Sequence, residues 1–237
     1  MKKGKGSRFL RKTVKIILYL FLFSLAYLLV CKWIFPPVTI TQLSALVRGE
    51  GLKRDYISWD EIPASVKLAA IASEDQLFPG HGGFDWKAME KSIQGNTKGR
   101  KKRKRGAAAS TISQQTAKNV FLWQGSGWNR YIRKAPEAVY AKMIEWVWGK
   151  KRILAVYLNV IETGPGIFGI EAAAQHYFHK PARNLSRQEA AMIVACLPNP
   201  RKFTVKPMSA RVRWRYPQIL RQMNNLESDP DVRELIR

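Results

Sequence analysis

The chain has 237 residues, 46% of them hydrophobic, which supports one compact domain with short accessory segments. Forty-one lysines and arginines against 17 acidic residues give a formal net charge of +24. Such a charge favours anionic partners: nucleic acid, acidic lipid head groups or a phosphorylated substrate. The two cysteines exclude a disulfide framework, and no cysteine–histidine spacing resembles a zinc site.

An apolar run near the N-terminus predicts a membrane anchor. The run 16–31 extends to 14–35, which reaches the roughly 17–25 residues that a transmembrane helix needs. Only basic charges occur in the tail 1–13, and positive flanks stay in the cytoplasm, so the larger C-terminal part is expected outside. A cleaved signal peptide would have a shorter apolar core. A lipoprotein Cys31 is disfavoured by the bulky Val30 before it.

Beyond the anchor, 36–56 has a mixed pattern and is assigned as a membrane-proximal linker, and 57–237 as one folded domain. Apolar spacing predicts helices after Pro63 and over about 111–123, 128–148, 152–161, 170–178, 187–197 and 210–226. Capping boxes are expected at Ser58 with Glu61, Thr111 with Gln114, and Ser186 with Glu189. Few segments alternate like strands, so the fold is predicted to be mainly α.

Two prolines lie inside these predicted helices. Pro217 is expected to kink or break the last one, because proline removes a backbone hydrogen bond and clashes with the preceding turn. At Pro136 two interpretations stay open. Either the helix restarts there, which places Glu137 in its first turn, or the helix bends.

The first candidate for chemistry is the acidic pair Glu74 and Asp75, late in an otherwise apolar helix. A solvated helix end is the ordinary interpretation of such a pair. An acid among alanine and isoleucine neighbours, with Phe78 close by, can instead be desolvated, which raises its pKa toward that of a useful general base. The following turn, 78–85, would place it at the edge of a cleft.

The second candidate is the segment 110–119, STISQQTAKN. Thr111, Gln114 and Lys118 are three and four residues apart and therefore share one helix face. The helix N-terminal amides of 110–113 would point at the same region, where phosphate oxygens can bind. A capped polar helix surface is the alternative.

The third candidate combines three basic residues with one acid: Arg130, Arg133, Lys134 and Glu137. Arg133 and Glu137 are four residues apart, so an ordinary intrahelical salt bridge explains that pair equally well. His176 and His179 are three apart but lack a carboxylate partner motif. They are interpreted as structural, and no metal site is assigned.

The basic run 98–105 is the most charged segment of the chain, and its self-repulsion predicts a mobile loop over 96–105. A membrane-tethered module that binds nucleic acid or anionic lipid through this run is the hypothesis outside enzymes. The run lacks the interleaved aromatic side chains of a stacking groove, and the expected topology holds it away from cytoplasmic nucleic acid. No nucleic-acid partner is therefore expected.

Five blocks between 57 and 225 resemble the peptidoglycan glycosyltransferases, specifically the monofunctional biosynthetic transglycosylases. They occur in the family's order: EDQLFPGHGGFD (74–85), STISQQTAKN (110–119), RKAPE (133–137), KKRILAVYLNVIETGPGIFGIEAAAQHYF (150–178) and EAAMIVACLPNP (189–200). The resemblance implies a lysozyme-like α fold and polymerisation of lipid II in the bacterial cytoplasmic membrane. It implies lipid II, the growing glycan strand and the membrane as partners, and other cell-wall synthesis or division proteins as candidates. The resemblance implies that no cofactor is required, and it leaves open whether a divalent cation, Mg²⁺ or Mn²⁺, takes part.

The resemblance also implies roles for individual residues. Glu74 matches the general base that deprotonates the acceptor sugar 4-hydroxyl, and Asp75 a supporting acid beside it. Glu137 matches the second essential acid, which assists departure of the pyrophosphate directly or through water or metal. The matches to pyrophosphate-holding residues are Lys118, Arg130, Arg133 and Lys134, and those to the surrounding polar groups are Ser110, Thr111, Gln114 and Gln115. Ala108 departs from the family, which usually has glycine there.

The charge pattern favours glycosyl transfer over hydrolysis. A pyrophosphate leaves as a weakly basic anion, so it needs positive charge where negative charge accumulates. A glycosidase must instead protonate a departing alkoxide. The cations around Glu137 thus favour an inverting transferase over a lysozyme-like lytic transglycosylase or muramidase, the main alternative enzyme.

Overall fold

A computed structural model describes residues 5–86, 110–125 and 128–237, without the side chains of 5–8, 10 and 130. The basic run 98–105, Ala108 and the side chain of Arg130 lie outside this description. The described chain forms two compact units, 1–36 and 37–237.

The first unit is built on helix α1 (Lys5–Val30). Its stretch Arg11–Val30 has a mean hydropathy of 2.2 and is long and apolar enough to cross a membrane. The helix starts nine residues before the apolar span expected at 14, because lysine and arginine are good helix formers and continue the helix into the basic tail. It ends at Val30, and turns lead from there to Pro36.

The second unit is mainly helical. Its helices are α2 (Ile40–Val47), α3 (Ala64–Glu74), α4 (Ile112–Phe121), α5 (Trp128–Val147), α6 (Gly149–Val160), α7 (Ile170–Phe178), α8 (Arg187–Cys196), α9 (Ala210–Leu226) and α10 (Pro230–Ile236). A 3₁₀ turn covers Ala182–Asn184. The segment 36–56, which showed no clear pattern in the sequence, contains α2 and the first strand.

Three short strands form one small sheet: β1 (Lys53–Arg54), β2 (Glu162–Gly164) and β3 (Ile167–Phe168). Their order is β1–β3–β2, with β1 parallel and β2 antiparallel to β3. Gly169 follows β3 with φ of +84°, and a Cβ there would lie 2.5 Å from the Asn159 carbonyl oxygen, so only glycine fits this approach. The sheet thereby stays close to the end of α6.

The predicted helix starts are confirmed where a side chain caps the helix. Thr111 and Gln114 form the expected capping box of α4, and Ser186 and Glu189 that of α8. Ser58 does bond to Glu61, but the next helix begins only at Ala64, so the capping-box interpretation was wrong there. Pro63 stands at the N-cap of α3 instead. Proline suits a helix start because its missing N–H would be unpaired there anyway.

Both internal prolines are accommodated within unbroken helices. The expected break at Pro217 does not occur, since α9 is one element, and the restart at Pro136 is also wrong, since α5 is continuous. Proline leaves the carbonyl four residues earlier without its helical partner. Those carbonyls belong to Ile132 and Arg213, which are exposed, so water can satisfy them. Glu137 therefore lies inside a helix rather than in a first turn.

The core surrounds α3, in which every residue from Val66 to Ala72 is buried. Helix α3 packs against α8 and α9, while α4 packs against α5 and α6. Small alanine side chains let the neighbouring helices approach closely. This packing places the C-terminus of α3 near the N-terminus of α4, where the candidate residues gather.

Candidate active site

Glu74 is the last residue of α3 and is only partly exposed. Gln115 Nε2 donates to its Oε2 at 3.0 Å, and Ser73 Oγ donates to its Oε1 at 3.2 Å. Burial raises the pKa of Glu74, while the two hydrogen bonds and the charges of Arg215 and Lys118 oppose that rise. The side chain is thus a carboxylate with neutral donors and an increased affinity for a proton.

Asp75 is buried next to Glu74 and has different partners. The His81 Nε2 atom lies 2.9 Å from both carboxylate oxygens, and the backbone N–H of Ile112 donates to Oδ2 at 3.0 Å. Gly83 N–H donates to His81 Nδ1 at 3.1 Å, so the proton on Nε2 is directed at Asp75. Asp75 therefore fastens the turn after α3 to the first residue of α4.

A cleft of about 430 Å³ opens beside this pair. Its lining consists of Ser73, Glu74, Asp75, Gln76, Leu77, Asp85 and Thr111. The carboxylate of the first candidate base therefore lies at a cavity large enough for part of a sugar.

Glu137 lies on the inner face of α5 and is 2% exposed. Lys134 Nζ donates to its Oε1 at 2.5 Å, and Arg133 Nε donates to its Oε2 at 3.3 Å. Arg133 Nη1 also donates to the Trp123 carbonyl at 2.8 Å, which fixes the guanidinium. Both the intrahelical salt bridge and the cluster of cations around this acid are therefore present.

Lys118 lies on α4 between the two acids. Within the described ranges, its ammonium forms no hydrogen bond or ion pair. Burial and the neighbouring cations Arg133 and Lys134 lower its pKa to about 8, against the opposing charges of Glu137 and Glu74. A partly buried cation that forms no hydrogen bond or ion pair with the described residues is suited to binding an anion.

Lys118 also borders a second cavity of about 290 Å³, which Glu74 does not line. Its polar lining includes Arg48, Asn119, Gln124, Glu162, Asn199 and Arg201. In the part of the chain that the structure describes, Asn119 Nδ2 is buried without a hydrogen-bond partner. The cation therefore faces a polar groove rather than the apolar core.

Ser110 connects the surroundings of the two acids. Lys134 Nζ donates to Ser110 Oγ at 3.1 Å, and Gln115 Nε2 donates to the Ser110 carbonyl at 3.3 Å as well as to Glu74. One hydrogen-bonded path thus runs from Glu137 to Glu74. The acids belong to one region and are not scattered over the surface.

Thr111 and Gln114 are buried and serve mainly to start α4. Each side-chain oxygen accepts the backbone N–H of the other residue, and Thr111 Oγ1 donates to the Gly83 carbonyl at 2.7 Å. The amide of Ile112 is taken by Asp75. The expected phosphate site at these amides is therefore wrong for Thr111 and Ile112, because protein oxygens already occupy them. Gln115, not Gln114, reaches Glu74.

The sequence did not single out His81, Tyr157 or the pair Glu145–Lys150. Lys150 Nζ donates to Glu145 at 2.7 Å and to the His81 carbonyl at 2.5 Å. His81 stands within the block 74–85, so its position next to the acids was the available signal. No such signal marks Tyr157, whose contact lies 42 residues away.

The described residues contain no group of three histidine, cysteine or acidic side chains that could hold a metal.

A family model for the transglycosylases matches residues 40–224. The chain belongs to the transglycosylase family. Within it, this chain is similar to two proteins named biosynthetic peptidoglycan transglycosylase. One, from Shigella boydii serotype 4, is 47% identical over 227 residues, which cover 94% of this chain and 91% of the relative. The other, from an Escherichia coli strain, is 54% identical over 176 residues, which cover 74% and 70%.

Proposed function

We propose that this peptidoglycan glycosyltransferase polymerises lipid II by inverting glycosyl transfer and releases polyprenyl pyrophosphate. Family membership gives the reaction class. The observation that carries the finer proposal is the joined pair of acids, one with neutral donors and one with cations. These are the two environments that deprotonation of an acceptor and departure of a diphosphate require.

Glu74 acts as the general base. Its carboxylate lies at the 430 Å³ cleft, and burial raises its pKa, which brings the affinity for a proton closer to that of an effective base at neutral pH. The base takes the proton of the acceptor sugar 4-hydroxyl as that oxygen attacks the anomeric carbon of the donor. Attack opposite the departing pyrophosphate inverts the configuration. Asp75 supports the base by holding the turn that follows it.

Glu137 and its neighbours act on the leaving group. With Lys118, Arg133 and Lys134 all protonated, the cluster has three positive charges against one carboxylate. This surplus stabilises the negative charge that develops on the pyrophosphate, while Glu137 orients the two cations that it binds. Arg130, Ser110 and Gln115 complete the proposed donor site, and Thr111 and Gln114 support it by starting α4.

The helix α1 anchors the enzyme in the bacterial cytoplasmic membrane as a single span. The tail stays in the cytoplasm, and the second unit lies outside, where no nucleoside triphosphate is available and the substrate arrives already activated. Lipid II, the growing strand and the membrane are the proposed partners, together with other cell-wall synthesis or division proteins.

Purified full-length protein in detergent tests the proposal with lipid II and with finished glycan as separate substrates. Glycan strands and polyprenyl pyrophosphate from lipid II are expected, with finished glycan left intact. Cleavage of finished glycan without polymerisation would support a lytic enzyme instead. Parallel reactions with chelator, and with added Mg²⁺ or Mn²⁺, show whether a divalent cation takes part.

A further inference from the structure

Tyr157 is a buried polar residue that the proposed chemistry does not use directly. It lies on α6, where every residue from Ile153 to Val160 is buried, and its side chain is fully enclosed. A buried hydroxyl needs a partner. In the described part of the chain its partner is Gln115 Oε1, at 3.3 Å.

Gln115 has its two amide ends in different surroundings. Its Nε2 group faces two acceptors, the Glu74 carboxylate at 3.0 Å and the Ser110 carbonyl at 3.3 Å. Its Oε1 atom faces the hydroxyl of Tyr157. A flipped amide would place its oxygen against the carboxylate and against a second carbonyl. In the observed orientation, Oε1 needs a hydrogen-bond donor, and the Tyr157 hydroxyl supplies it.

We propose that Tyr157 is a positioning residue for glycosyl transfer: its hydroxyl fixes the carboxamide of Gln115, which in turn holds the carboxylate of Glu74. The proposal rests on the proposed role of Glu74 as base. Tyr157 does not touch the reacting atoms. Its effect is to keep one carboxylate oxygen, Oε2, hydrogen-bonded in a fixed direction.

The hydroxyl also affects the protonation of Glu74. A donor to an ionised carboxylate favours the ionised form, so the Gln115 bond lowers the pKa of Glu74 against the larger effect of burial. Without the phenol hydroxyl, Oε1 loses its donor, the amide is held less firmly and the bond to Glu74 weakens. The pKa of Glu74 then rises further, and the base becomes active only at higher pH.

Tyr157→Phe removes only the hydroxyl and keeps the buried ring. Its matched control is Tyr177→Phe, because Tyr177 is also buried but donates to the Thr163 carbonyl instead. In lipid II polymerisation, Tyr157→Phe is expected to lower kcat about fivefold with KM within about twofold. The acidic limb of its pH profile moves up by about 0.5 pH. The control is expected to keep the wild-type pH profile.

A double variant separates positioning from simple packing. If Tyr157 acts through Gln115, adding Tyr157→Phe to Gln115→Ala causes no further loss of kcat. Additive losses, or a Tyr157→Phe pH profile that matches the wild type, would overturn the proposal.

Infrared difference spectra test the positioning role of Tyr157 separately from the proposed role of Glu74 as base. The protonated-carboxyl band that disappears in Glu74→Gln reports the titration of Glu74 without any substrate. Its midpoint is expected to rise in Tyr157→Phe and to stay in Tyr177→Phe, and an unchanged midpoint in both contradicts the positioning role. Polymerisation that survives in Glu74→Gln refutes the base assignment while the spectra still test the contact.

Discussion

The two acids proposed to act in catalysis, Glu74 and Glu137, are both glutamates but have different surroundings. Glu74 is partly buried, receives hydrogen bonds from neutral groups, and has a raised pKa because of its burial. Glu137 is almost fully buried and binds a lysine and an arginine. A desolvated acid with neutral partners is suited to take a proton, whereas an acid held by cations organises charge. The local partners, not the residue type, separate the roles.

The strongest test of this comparison is Glu74→Gln. It is expected to abolish detectable polymerisation, a loss of about 10³-fold, because no group remains to accept the proton. Glu227→Gln, at an exposed ion pair with Arg187, is the control and keeps full activity. Radiolabelled lipid II turnover measures both variants, and retained activity in Glu74→Gln would end the assignment.

The thermal stability of the Glu74→Gln variant tests the same comparison. An acid with a raised folded-state pKa favours folding at low pH and loses that contribution as pH rises through this pKa. At neutral pH the ionised Glu74 therefore costs stability. Glu74→Gln is expected to unfold at the same temperature as wild type or higher, as differential scanning calorimetry measures.

Glu137→Gln is expected to change stability in the opposite direction to Glu74→Gln. It leaves Arg133 and Lys134 without their carboxylate, so unfolding becomes easier by about 3 kcal/mol, and polymerisation falls about 10²-fold. Chemical denaturation and lipid II turnover give the two numbers. A variant as stable as wild type would show that the cations do not depend on Glu137.

Lys118 gives a smaller effect with a characteristic pH dependence. Its pKa of about 8 means that the ammonium loses its charge above that pH, so kcat/KM should fall on the alkaline side. Lys118→Arg keeps the charge, and its alkaline limb should disappear. Lys118→Ala should weaken use of the donor about tenfold, more than use of the acceptor. Equal losses for both substrates would argue against a donor-site role.

The smallest effect is expected at the basic run 98–105. Replacing its lysines and arginines with glutamine removes more charge than any change at Glu137, yet we expect polymerisation within about threefold of wild type. Turnover of lipid II in detergent checks this. A loss comparable to that of Glu137→Gln would show that total charge, rather than its placement beside Glu137, controls the reaction.

The sequence predicted what depends on neighbours along the chain. The capping box of Thr111 with Gln114 and the Arg133–Glu137 pair both follow from spacings of three and four residues. The sequence could not decide whether the helices continue through Pro136 and Pro217, because tolerance depends on which carbonyls face water. The role of Asp75 at the α4 amides was equally hidden.

Contacts between distant segments were also beyond the sequence. Tyr157 meets Gln115 across 42 residues, and Asn159 binds Ile57 across 102. Neither pair has a spacing that signals contact. Family blocks placed Glu74 and Glu137 in one site, but only three-dimensional packing shows Ser110 between them.

Asp75 joins two helices mechanically as well as chemically. Its carboxylate closes onto the first amide of α4 from the residue directly after α3, across 37 positions of sequence. This hydrogen bond therefore couples the C-terminus of α3 to the N-terminus of α4. A shift of the proposed base that keeps this bond is accompanied by a shift of the helix that carries Lys118.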